Sequence, residues 1–169
     1  MTEAAIKSGR SGERRLLSGK EEIRAAVINA TSNASRALAI LTPDLEPEIY
    51  DQHDFLDVLK RFILARSFAR VRVLITQPSR SLKMGNEFVA MADRLNSYIE
   101  FRHLKREIGE RHDAFFIADE KAIVYRAHHE NWEGMCDPCE PAVARYYLDA
   151  FDELWHACAS EAEQRRKMF

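Results

Sequence analysis

The sequence holds no apolar run long enough to cross a bilayer, and its N-terminus lacks the apolar h-region of a secretory signal. A cytoplasmic protein with no membrane span is therefore expected. Cysteine is scarce and odd in number, three in all, which leads to reduced thiols rather than a disulfide framework. An excess of charge of one sign is missing too. Lys and Arg number 25 against 27 Asp and Glu, a formal net charge of -2, so no overall basic field draws the chain to nucleic acid or an anionic membrane. Aromatic residues, 9% of the chain, fall at apparent core positions and do not interleave with basic ones as a base-stacking surface requires. No segment repeats internally, and nothing marks a second domain.

What is present is the balance of one globular domain: 169 residues, 46% apolar and 31% charged. Residues 1–19, with the run Lys7-Ser8-Gly9-Arg10-Ser11-Gly12, read as a mobile leader. Ile23, Ala26, Val27 and Ala30 then form one apolar stripe, predicting a helix from Lys20. Its cap would be Ser18, with Glu21 completing a capping box. Residues 37–41 (Ala-Leu-Ala-Ile-Leu) and 71–75 (Val-Arg-Val-Leu-Ile) read as buried strands, central and parallel, because each is largely apolar and a helix over residues 53–66 joins them. A helix over residues 82–95 and a strand over 98–102 follow. Residues 114–126 form a hairpin turning at Asp119-Glu120-Lys121. Residues 127–141 read as irregular. A last helix over residues 142–160 places Val143, Tyr146, Tyr147, Ala150, Phe151, Leu154 and Trp155 inward, and a basic tail, 161–169, closes the chain. Helices alternating with strands and ending in a hairpin give an α/β sandwich with a mixed sheet, its domain spanning residues 20–160.

His112 stands at the mouth of the hairpin and Asp119 at its turn, seven residues apart. This spacing resembles the H-x-K-x4-D motif of the phospholipase D (HKD) superfamily, and the order of elements resembles one domain of that superfamily. Phe151-Asp152-Glu153-Leu154-Trp155 resembles the F-x-x-x-W helix that often follows. The chain is most similar to short bacterial domains of uncharacterised function with a single, degenerate motif. The resemblance implies a phospholipase D-like α-β-α sandwich, with His112 as phosphorus-attacking nucleophile and a lysine clamping phosphate. It also implies pairing of two motifs, hence a homodimer.

The lysine position holds Ala114. Losing a preorganised cation typically costs about 3–4 kcal/mol of transition-state stabilisation. The Gly-Ser/Thr-Asn stretch of active members is absent as well. Arg111 neighbours His112 and would point to the opposite face of an extended strand. A non-enzymatic domain is therefore expected, binding an anionic, phosphate-containing small molecule or a protein partner and needing no cofactor. Its ligand residues would be Arg102, His103, Arg111, His112, Thr42, Asp44 and Gln77. The rival is a phosphodiesterase or nuclease using His112 with a cation from elsewhere. On the blander reading, His112 is a strand-end residue bonded to nearby backbone.

Cys136-Asp137-Pro138-Cys139 suits a zinc knuckle completed by His128 or His129, which would make the chain a zinc-stabilised interaction module. Free thiols are the expected state, since four ligands can be assembled only from both adjacent histidines or a distant one such as His156. Arg61, Arg66, Arg70 and Arg72 form a denser basic group, read as part of a solvated mixed-charge face because Asp54 and Asp57 share the helix.

Overall fold

The computed structural model describes residues 13–77 and 86–158. Among these residues, seven strands form one mixed sheet: β1 (Arg15–Ser18), β2 (Ala37–Thr42), β3 (Arg70–Ile75), β4 (Ile99–His103), β5 (Ala114–Ala118), β6 (Ala122–Arg126) and β7 (Glu133–Asp137). Their spatial order is β1-β7-β6-β5-β2-β3-β4. Among the described residues, five helices cover it: α1 (Lys20–Ser32), α2 (Pro47–Tyr50), α3 (His53–Ala65), α4 (Glu87–Arg94) and α5 (Pro141–Ala157).

The continuous apolar runs have a simple cause. Alternate residues of a strand face opposite sides of a sheet, and here both sides are covered. Leu38, Ile40, Val71, Val73, Ile75 and Phe116 pack on one face with Ile23 and Val27 of α1, Phe55 and Leu59 of α3, and Phe88 of α4. Ala39, Leu41, Leu74, Phe115 and Ile117 pack on the other with Ala144, Leu148, Phe151 and Trp155 of α5. Burying each large side chain contributes about 1.5–3 kcal/mol. As expected, β2 and β3 are interior and parallel, joined through α2 and α3. On its other side β2 meets β5 antiparallel. The direction of the sheet therefore reverses beside β2.

The structure corrects several sequence expectations. Arg15–Ser18, inside the expected leader, is an edge strand paired with β7. β7 itself lies in the stretch expected to be irregular. It has no β-branched residue and contains Gly134, so its sequence carries little strand signal. The gap at Gly134 is required by packing, because a Cβ there would stand 2.4 Å from the Tyr125 carbonyl oxygen on β6. The start of α1 is capped by Gly19, with φ of 95°, rather than by Ser18. The Ser18 amide instead donates to the Glu22 carboxylate at 3.0 Å. Tyr146 is 70% exposed, because the buried stripe of α5 runs through Ala144, Leu148, Phe151 and Trp155. The first turn of the helix expected over 82–95, residues 1–12 of the leader and the 161–169 tail lie outside the described residues.

A Gly134→Ala variant should lose about 1–3 kcal/mol, because the β6–β7 backbones must part to admit the methyl group. Urea unfolding of the two proteins measures the difference.

Candidate functional site

The loops after the carboxyl ends of β2 and β3 gather the polar side chains. Ala114 and Arg126 are direct cross-strand partners at the open end of the β5–β6 hairpin. Both side chains face the α1 side of the sheet, beside Ile23, Val27 and Tyr50. Arg126 is only 3% exposed. A buried guanidinium must be neutralised and hydrogen-bonded to persist, and here every side of it is occupied. It forms an ion pair with Glu46, donates to the carbonyls of His129 (3.0 Å) and Asn131 (3.1 Å), and lies 4.7 Å from the centre of the Trp132 ring. Glu46 also accepts from the Thr42 hydroxyl at 3.2 Å. Burial pushes the Glu46 carboxyl above its ordinary range while Arg126 pulls it back. Burial and the Glu46 charge likewise raise the Tyr50 phenol.

His129 extends this network outward. Its amide donates to the His112 carbonyl at 2.8 Å, and its Nε2 lies 3.2 Å from the Gln77 side-chain nitrogen. For that contact to be a hydrogen bond, the Gln77 amide donates to an unprotonated Nε2. The His112 side chain is exposed at the rim.

His112 and Asp119 are not brought together. They stand at opposite ends of β5, roughly 20 Å apart along an extended chain. The Asp119 carboxylate accepts from the amides of Ser35 (2.8 Å), Arg36 (2.8 Å) and Ala37 (3.0 Å), pinning the hairpin turn to the start of β2. It thereby supports a turn in which Asp119 and Glu120 both adopt positive φ, at 54° and 59°. Such a conformation costs roughly 1–2 kcal/mol for a residue with a Cβ.

The expected ligand residues divide three ways. Gln77, His103 and Arg111 line one groove of about 830 Å³, together with Thr76, Lys105 and Arg106. Thr42 is fully buried and turned to Glu46, and Asp44 lies close enough to add its charge to that carboxyl. Arg102 is committed elsewhere, contrary to expectation. It donates to the carbonyls of Trp155 (2.6 Å) and Cys158 (3.0 Å), pairs with Glu100, and stacks over the Trp155 ring. The basic group of the sequence is also dispersed: Arg72 is paired with Asp152, and Arg70 donates to the carbonyls of Ser67 and Ala69.

Cys136, Cys139 and Cys158 are free thiols. Among the described residues, no three His, Cys, Asp or Glu side chains are grouped as a metal site requires, so the structure does not gather Cys136, Cys139, His128 and His129 into one. Glu46 and Arg126 are the residues that sequence reasoning missed. One signal was available: Arg126 follows Val124 at the strand period, on a face that should be buried, and an inward arginine demands a buried acid.

Residues 19–166 match the model of a family described as a domain of unknown function, DUF7931. The chain belongs to this family. No curated protein matches the DUF7931 chain by sequence. Solved structures resemble it in fold. Nuc from Salmonella typhimurium, a phospholipase D family member, has a TM-score of 0.59 at 18% identity, over 88% of this chain and 98% of its own. NucT from Helicobacter pylori has a TM-score of 0.59 at 15% identity, with the same coverage of 88% and 98%. TrmBL2, an archaeal chromatin protein described with a novel mode of DNA binding, has a TM-score of 0.62 at 15% identity over 87% of this chain. The DUF7931 chain spans 52% of that protein's length. The fold is therefore phospholipase D-like.

Two stability outcomes follow for the DUF7931 domain. Glu46→Leu and Arg126→Met should each cost about 3–5 kcal/mol, by leaving the partner's charge buried alone. The double variant should recover much of that loss, and denaturant unfolding of all four proteins closes the cycle. Asp119→Ala should cost about 2–4 kcal/mol, since three amides lose a charged acceptor together. A value near zero would mean that water satisfies them.

Proposed function

We propose that this is a phospholipase D-like domain that carries out no phosphoryl transfer and binds an anionic, phosphate-containing ligand. The observation behind this reading is what stands at the lysine position of the motif. Ala114 supplies no charge, and the cation directly across the strand pair, Arg126, is neutralised by Glu46. Transition-state stabilisation needs positive charge aimed at the phosphoryl oxygens, and a guanidinium saturated by an acid and two carbonyls offers none. Asp119 is spent on the hairpin turn. The rival reading, a phosphodiesterase or nuclease with a cation from elsewhere, would need that cation from another segment, because Arg126 is held by Glu46. The nearly balanced net charge of -2 favours a small ligand over a long polyanion, which needs a continuous cationic track. A cytoplasmic homodimer accompanies this reading, supported by the single motif in a fold whose active members pair two.

The unmodified protein should not turn over bis-(p-nitrophenyl) phosphate above the rate of its His112→Ala variant. Activity that vanishes in the variant would refute the non-enzymatic reading. An Ala114→Lys substitution should not rescue rate, and it should destabilise the fold. Ala114 is 3% exposed, and the void beside it measures about 10 Å³, too little for a lysine chain next to a second buried cation. Sedimentation velocity at tens of micromolar should show the dimer, because a standard-size interface survives such dilution.

A further inference from the structure

A groove of about 830 Å³ lies on the same rim and does not include His112. Its origin is topological. The chain leaves β4 at the sheet edge and must pass the carboxyl ends of β3 and β2 before entering β5. The crossing segment is anchored where the Leu104 amide donates to the Ile75 carbonyl at 2.8 Å, and Ile108 packs on the α5-side core. Gly109 passes close to Leu154 of α5. Between this segment and the carboxyl ends of β3 and β4, where Thr76 and Gln77 follow one strand and His103 closes the other, a space is left. Open α/β sheets gather ligands outside the carboxyl ends of their parallel strands.

We propose that this groove, rather than the rim at His112, holds the ligand, and that the ligand is a small soluble phosphomonoester; this rests on the anion-binding reading above. Three features carry it. The Thr76 hydroxyl lines the groove, is buried, and has no hydrogen-bond partner among the described residues. Buried hydroxyls are rarely left so, and rotation of the side chain toward the groove would let it meet a ligand oxygen. Lys105 and Arg106 are exposed on the crossing segment, where their long side chains can close over a bound anion. Arg111 also lines the groove and is held by a bidentate contact to Asp113, at 2.9 and 2.7 Å. The same segment carries Glu107 and Glu110. Their charges offset the cations around them, which suits one localised phosphate and disfavours a polyanion. The volume falls in the range of small-molecule sites.

Calorimetric and amide-NMR titration of the full chain with glycerol 3-phosphate and inorganic phosphate tests this. Saturable binding is expected, with shifts at Thr76, Gln77 and residues 105–111. Affinity should fall roughly tenfold in Lys105→Ala/Arg106→Ala and by a smaller factor in the near-isosteric Thr76→Val, and it should be unchanged in His112→Ala. Binding that survives the first two variants and is lost in His112→Ala would overturn the groove while leaving the anion-binding reading intact. Absence of binding to either probe at millimolar concentration would overturn both. Binding to phosphatidic acid vesicles without binding to glycerol 3-phosphate would overturn the soluble ligand.

Discussion

The charge of Arg126 has to be cancelled inside the protein, and the arrangement of the whole carboxyl rim follows from how that is done. Glu46 comes from the loop after β2, the two accepting carbonyls from residues 129 and 131, and the covering ring from Trp132. One side chain at the end of β6 thus fixes the loop above β2, the chain from β6 to β7, and through His129 the backbone of His112. Thr42, at the end of β2, turns its hydroxyl to the same carboxylate. An ion pair this deep has little net effect on stability compared with an apolar pair of equal shape. Its effect is to dictate one arrangement of these loops, since any other would strand a charge.

The two ends of β5 place His112 and Asp119 in different settings. At one end His112 is exposed beside a rim whose nearest buried cation is already neutralised. At the other, Asp119 organises the first three backbone amides leading into β2. That role has no connection to phosphoryl chemistry and would hold the aspartate in place in an inactive domain. The spacing of the motif is thus partly a property of the hairpin itself.

The α5 face shows the same use of charge for architecture. Arg72 and Arg102 stand on neighbouring strands and lie against the aromatic rings of α5, while also reaching Asp152 and the last carbonyls of that helix. Cations at a helix carboxyl end are favoured by its dipole, and guanidinium planes stack well on aromatic rings. In the sequence Arg72 reads as part of a solvated face and Arg102 as a ligand residue, and both contact the last helix from the sheet.

The sequence by itself determined the order of elements, the parallel pair β2–β3, the hairpin and the α/β class. Those features are written locally, in apolar runs of strand length, in helical stripes such as Ile23, Ala26, Val27 and Ala30, and in the turn at Asp119. Two strands escaped it: β1, four residues long, and β7, built around Gly134, owe their existence to partners rather than propensity. The candidate site was legible only in part. Gln77, His103 and Arg111, named from the sequence, line one groove at the carboxyl rim. Only the tertiary structure decided that Arg102 ties down α5, that Thr42 turns inward, and that Glu46 meets Arg126. The Arg102 and Arg126 contacts join side chains to partners more than fifty positions away, and Thr42 turns to Glu46 because that buried carboxylate is held by Arg126, a matter of packing and of cancelling buried charge that no local pattern encodes.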